Sequence, residues 1–409
     1  MYLPAIEGHV LPDMVQALRS FLEFCYIARR NIHDSNSLRE LEDALERFHT
    51  YRKIFQECGV RPDGFNLPRQ HSLIHHLQLI RAFGAPNGLC SSITELKHIK
   101  AIKEPWRRSN RFDALSQMLL TNQRLDKLAA ARVDFSHRGM LDPKQAKLPE
   151  NLNTTLRAVG GSEKAHSDDD DGGVVAGLAV EASVALAKTF CKCLQLYTKY
   201  ILTTNNLTGY HTFADDLATK IDQPDLVQLI QKFLHTQDSF HEKITVYPSA
   251  VASFYSPSDV SGEGGMRFER IRAVDSWRKG PARYDCVFVE TNPDAPGMRG
   301  LDVAHVRVFF SFDYNDKKYP CALVRWFSCV AEPAENNTGM WVVEPEFADD
   351  GRHHTSVIHL DTIVRAAHLL PVFGEGFVTR NLSFTDSLDK FPKFYVNKYA
   401  DHHAFEIAF

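Results

Sequence analysis

The sequence predicts a multidomain α+β chain: an all-α amino-terminal region, a polar linker, a helical connector and a carboxyl-terminal small β barrel or sandwich. Three observations predict it. Apolar residues recur at helical spacing through residue 138, the pattern collapses into Pro, Gly, Asn and Asp over 141–173, and short β-branched and aromatic runs dominate after 246. With 409 residues, 44% of them hydrophobic and 24% charged, the composition is that of a globular chain with two or three cores, which excludes wholesale disorder and collagen-like repeats.

Residues 1–140 form the helical region. Met14, Leu18, Leu22 and Cys25 share one helical face, and Leu38, Leu41, Leu45 and Phe48 share another, on a helix that begins at a Ser35/Ser37 capping region. The Pro- and Gly-rich stretch from Gly59 to Pro68 stops that helix. A third stripe, Leu73, Leu77 and Ile80, runs over 70–83 and ends in the turn Gly84–Gly88. Ser91, Ser92 or Thr94 caps a short helix through Lys103, halted by Glu104-Pro105, and a helix over about 112–135 closes the region.

Residues 141–173, ending in Asp168–Asp171, are expected as a flexible acidic linker. A helical connector over 174–245 follows, clearest at Leu226, Leu229 and Phe233. In the β-rich region 246–409 the expected strands are 268–273, 284–290, 303–312, 319–327, 341–344 and 357–360, with one brief helix over 362–368. Asn315-Asp316 between two aromatic-flanked runs predicts a hairpin.

The net charge of −4 gives no global attraction to nucleic acid or to an anionic membrane. Locally the balance reverses. Between 61 and 140 stand thirteen Lys plus Arg against six Asp plus Glu. Lys97, Lys100, Lys103, Arg107, Arg108 and Arg111 form the densest run, and at helical spacing the three lysines share a face that could neutralise phosphates or simply face solvent. Glu95, just before it, could serve a Mg²⁺-dependent phosphoryl-transfer site or only the helix dipole.

His71 and His75 are weak candidates for a metal pair. Their i,i+4 spacing and the later Cys90 suggest zinc, but Ser72 occupies the place of the Glu in a helical HExxH motif, and packing histidines are the alternative. The carboxyl-terminal histidines, His353, His354, His359, His368, His402 and His403, lack a third partner placed by sequence. Cys191 and Cys193 have the wrong spacing for a redox pair. Eight scattered cysteines and an amino end without a signal-peptide pattern predict an intracellular protein, nuclear or cytoplasmic, with no membrane partner.

The segment from Leu67-Pro-Arg-Gln-His71 to His75, the Gly84-Ala-Pro turn, the run Ile93-Thr-Glu95-Leu-Lys-His-Ile-Lys100-Ala-Ile-Lys103 and Arg107-Arg-Ser-Asn-Arg111 together resemble the end of the catalytic domain of CACTA (En/Spm) superfamily transposases. The likeness is strongest to the Plavaka-like group of mushroom-forming fungi. Segments 280–290, 319–327, 339–345, 357–361 and 395–403 resemble the β region of the same elements. The resemblance implies that 1–140 is the tail of a helical insertion plus the end of an RNase H-like core. It makes Glu95 the last acid of an Asp-Asp-Glu triad, and the six cations from Lys97 to Arg111 DNA-facing. The family's first two aspartates stand on strands upstream of the helices. Here the chain begins within the helices, and Asp13 and Asp34 match no strand motif.

The implied function is therefore a truncated remnant of a cut-and-paste DDE-type DNA transposase, binding DNA but catalytically incomplete alone. Mg²⁺ belongs to the intact family, and no cofactor is expected of this chain by itself. The alternative is a host-retained protein- or chromatin-binding module that grips its partner through exposed β-region aromatics such as Trp326 or Trp341. A standalone metallohydrolase is the third reading.

Overall fold

A computed structural model describes residues 2–86, 98–138, 182–187, 210–237, 242–259, 265–374 and 386–409, with a few isolated positions between. Contacts group the chain into two compact units, Met1–Gly88 with Asp170–Phe409, and Leu89–Asp169. Within the first unit the first helices share a core with the β region.

The first unit is α+β, with amino-terminal helices and a curled antiparallel sheet. Helix Pro12–Ala28 opens with proline in its first turn, where no N–H is needed, and buries Val15, Ala17, Phe24 and Ile27. Helix Ser35–Tyr51 is capped one residue before the expected serine. Asp34 Oδ1 accepts from the Ser37 N–H at 2.7 Å while Ser37 Oγ accepts from the Asp34 N–H at 2.9 Å, a reciprocal box that satisfies two orphan donors. The third stripe is not one helix. It divides into Pro68–His71, a 3₁₀ turn Ser72–His75 and His76–Phe83, closed by Gly84 at φ 90°.

The strands are β1 (Ala182–Ala187), β2 (Tyr210–Phe213), β3 (Lys243–Tyr247), β4 (Ser249–Tyr255), β5 (Met266–Val274), β6 (Arg283–Tyr284), β7 (Cys286–Glu290), β8 (Leu301–Tyr314), β9 (Lys317–Cys329), β10 (Val342–Pro345), β11 (Thr355–His359), β12 (Ile363–Ala367), β13 (Leu369–Pro371) and β14 (Phe394–Val396). Two expectations are corrected. Residues 182–187 and 210–213, inside the expected helical connector, pair backbone to backbone with β4 and β3, and the expected helix over 362–368 is instead β12, paired with β7. Ala-rich runs carry helix propensity, but ladder pairing in a sheet overrides it. Helices Ala214–Lys220 and Leu226–Leu234 complete the connector.

The sheet is organised by one long hairpin. Asn315 and Asp316 adopt φ 50° and 58°, so both central residues are left-handed as a type I′ turn requires, and β8 pairs with β9 from Val303 to Tyr314. Each arm of the hairpin then serves two outer neighbours in turn. Strand β8 pairs with β7 along 301–305 and with β3 along 309–312, while β9 pairs with β10 near 327–329 and with β11 along 321–325. A bulge between Val306 and Val308 marks the handover on β8. Such an extra residue bends its strand and strengthens the local twist, which curls the sheet.

Ala250, Ala252, Phe254 and Ile271 of the smaller sheet (order β1-β4-β5-β6) bury against Val287, Ala304, Val306 and Val324 of the larger. The opposite side of the large sheet carries two separate apolar clusters. One joins Val308, Phe310, Phe312 and Leu323 to the helices over 214–234, and the other joins Cys286, Phe288, Val303 and Phe327 to Trp341, Phe394 and Ala408. A fourth cluster unites Val15, Phe24, Ile27 and Leu41 of the first helices with Tyr395, Tyr399 and Phe405.

Gly300, at the mouth of β8, shows how tightly the approach to the hairpin is closed. A Cβ there would lie 2.4 Å from the Ala295 carbonyl oxygen and 2.6 Å from that of Asn292, both backbone atoms that cannot swing aside. Gly300→Ala is expected to destabilise the first unit by about 1–3 kcal/mol in urea titration, the usual range for forced overpacking. Among the described residues no helix is long and apolar enough to cross a membrane.

Candidate nucleic-acid interface

The described part of the second unit, 98–138, contains most of the cationic run. Residues Ile99–Lys103 form a π-helical turn that leads into the helix Glu104–Arg108, and Ala114–His137 follows as a long helix. Pro105 explains the widened turn. It has no N–H to donate back to Ala101, and the Ala101 carbonyl accepts instead from Asn122 Nδ2 of the long helix at 2.7 Å.

The connection over 109–113 is folded around Gln117. Its Nε2 donates to both Asn110 Oδ1 and the Phe112 carbonyl at 2.6 Å, while Arg111 and Asp113 take left-handed φ of 67° and 44°. This clip turns Arg111 and Phe112 outward. Lys103, Arg107, Arg108 and Arg111 are all exposed. Two aromatic side chains interleave with them, Trp106 at 45% and Phe112 at 81% exposure, values that set them apart from core residues. Among the described residues no carboxylate lies within ion-pair distance of Lys103, Arg107 or Arg111.

The shared lysine face is corrected in part. An i→i+5 turn needs more than four residues per revolution, so a three-residue step from 100 to 103 falls well short of one, and the two Cα positions do not align as they would on an α-helix. Glu95, Lys97 and Cys90 lie outside the described residues, as do Cys191 and Cys193, and of Lys100 only the backbone is described.

His71 and His75 do meet, their ring centroids 5.3 Å apart edge to face, across the junction of the short helix and the 3₁₀ turn. Both are exposed, so neither is a core histidine. Among the described residues no group of three His, Cys, Asp or Glu side chains could hold a metal ion.

The aromatics expected to grip a partner are not exposed. Trp341 is buried at 3% between the large sheet and the carboxyl-terminal segment, and Trp326 is partly buried with its Nε1 donating to Ser356 Oγ at 2.7 Å. The carboxyl-terminal histidines are each committed to a separate neighbour. His354 meets Glu346 at 2.9 Å, His368 meets Asn397 at 2.9 Å, and His353 stacks on Phe347. His403 stacks on Phe254 at 4.4 Å, and burial pushes it down to about 4, leaving a neutral ring.

Sequence reasoning missed Trp106 and Phe112, although both stand in plain view between the cations of the basic run. No family model, curated protein or solved structure matches this chain.

Proposed function

We propose that the chain is a DNA-binding protein of transposase origin that holds DNA through the exposed cations of 98–138. The observation that carries this reading is the cluster of Lys103, Arg107, Arg108 and Arg111, exposed, bracketing Trp106 and Phe112, and for three of the four without a carboxylate partner among the described residues. Cations already neutralised by protein carboxylates release no counterions on meeting DNA, whereas unpaired ones do. The resemblance to CACTA transposases supplies the origin. The burial of Trp341 and the half-burial of Trp326 weigh against a partner gripped by those two residues.

The salt dependence of binding tests the reading. Affinity of the full chain for a duplex, followed by fluorescence anisotropy, is expected to fall linearly on a log–log plot against salt. Replacing Lys103, Arg107, Arg108 and Arg111 together by Ala should flatten the slope by roughly 3 to 4, at about 0.9 per lost phosphate contact. An unchanged slope would remove the strip from the interface. Mg²⁺-dependent nicking by the purified chain, abolished by Glu95→Gln, would make the protein a complete enzyme.

A further inference from the structure

The large sheet carries a cationic patch between its two apolar clusters. Val308, Phe310 and Leu323 bury beneath the helices over 214–234, and Val303 and Phe327 bury beneath the carboxyl-terminal segment. Between them, on the paired strands β8 and β9, stand His305 directly opposite Arg325, with Arg307 in the bulge two residues on. A bulge re-aims its side chain out of the regular alternation. Here the Arg307 guanidinium carbon lies 4.7 Å from the centre of the Tyr284 ring.

Neither arginine has a carboxylate partner. Among the described residues no carboxylate stands within ion-pair distance of Arg307 or Arg325, and Arg325 Nε is buried with no hydrogen-bond partner. Burial and then the charge of Arg307 weaken the hold of Arg325 on its proton, so two like charges oppose each other in a partly dry setting. His305 and His353 report the same crowding. Each is depressed by burial first and then by both guanidiniums, His305 down to about 3, so neither ring adds positive charge or removes any. His305 Nε2 lies 3.2 Å from the Tyr284 carbonyl oxygen, an acceptor, which puts the ring proton on that nitrogen. The charges of Asp389 and Asp222 act on Arg325, but neither carboxylate forms an ion pair with it.

Two unpaired guanidiniums held together on a rigid ladder cost electrostatic energy that a bound oxyanion would reverse. We propose that the Arg307–Arg325 pair is a binding site for a phosphate group. The planar, multiply hydrogen-bonding guanidinium suits a tetrahedral oxyanion, the Tyr284 ring packs against Arg307, and the neutral histidines do not repel the ligand. The site shares no residue with the strip at 98–138 and stands or falls separately from it.

Thermal unfolding of the full chain with inorganic phosphate, at ionic strength held constant with chloride, tests the proposal. A saturable rise in Tm is expected, with the apparent affinity falling at least about tenfold in Arg307→Gln and in Arg325→Met, since a hydrogen bond to a charged group contributes about that much. Arg325 holds the buried Nε, so Arg307→Gln decides the matter if Arg325→Met fails to fold. An equal phosphate response in wild type and Arg307→Gln, or a wild-type response that chloride reproduces, would overturn it. A labelled oligonucleotide separates the two sources of phosphate. Displacement by phosphate, with weakening in Arg307→Gln, assigns a nucleic-acid phosphodiester, and phosphate binding undisturbed by the oligonucleotide assigns a free phosphate-bearing molecule.

Discussion

Glu23→Gln is expected to lower the stability of the first unit by about 3–5 kcal/mol in denaturant titration, the range for breaking a buried charge cluster by removing one partner. Glu23 is only 8% exposed and holds three cations. Its Oε1 accepts from Arg19 Nε at 3.0 Å and from Lys398 Nζ at 3.2 Å, and its Oε2 accepts from Arg47 Nη2 at 2.9 Å. The amide keeps the shape but leaves the Lys398 ammonium, itself 10% exposed, facing two arginines without an anion. Burial already pulls the Lys398 ammonium down, and Glu23 is what opposes that pull.

The sign of the pH dependence follows. Burial alone would raise the Glu23 carboxyl, but Lys398, Arg19 and Arg47 outweigh it and hold the group below its ordinary value. A carboxyl lowered by folding contributes stability that is present above the usual carboxylate range and is lost as pH falls through the folded-state value. The stability gap between wild type and Glu23→Gln should therefore be full at neutral pH and shrink on acidification below about pH 4. A gap that stays constant down to pH 3 would show that the cost lies in packing and not in charge.

Arg365→Met should cost about 3 kcal/mol, near the low end of the same range, because its partners Glu269 and Asp401 keep 30% and 28% of their side chains in water. Arg365 itself is 4% exposed on β12. It grips Asp401 with both terminal nitrogens, at 2.7 and 2.6 Å, reaches Glu269 Oε2 at 3.2 Å, and lies 4.5 Å from the centre of the Phe254 ring. Methionine fills the space and abandons two neighbouring carboxylates. The double variant Arg365→Met/Asp401→Asn should recover part of the loss, and strict additivity of the two single changes would exclude this account.

Local chemistry was legible in the sequence and long-range chemistry was not. The Asn315-Asp316 hairpin, the helix after Asp34 and the break at Gly84 follow from residues that dictate their own backbone. Strands β1 and β12 were missed because Ala-rich and mixed runs declare no period of two, and only their partners β4 and β7 make them strands. The same divide runs through the candidate sites. The cations of 97–111 are contiguous in sequence and could be found there, but their shared face depended on a regular helix, which Pro105 denies. Arg307 and Arg325 stand eighteen positions apart in runs that read as apolar strands. A charge inside such a run was the available signal, and strand register alone brings the two together.

The core shared by the first helices and the last residues also governs how the chain matures. Tyr26 donates its hydroxyl to the Tyr399 carbonyl at 2.6 Å and packs its ring 5.0 Å from that of Phe405. During synthesis the apolar faces of those helices are made first and covered last, since their partners leave the ribosome more than three hundred and seventy residues later. Until then the nascent helices carry an uncovered apolar surface, the kind of exposure that favours aggregation.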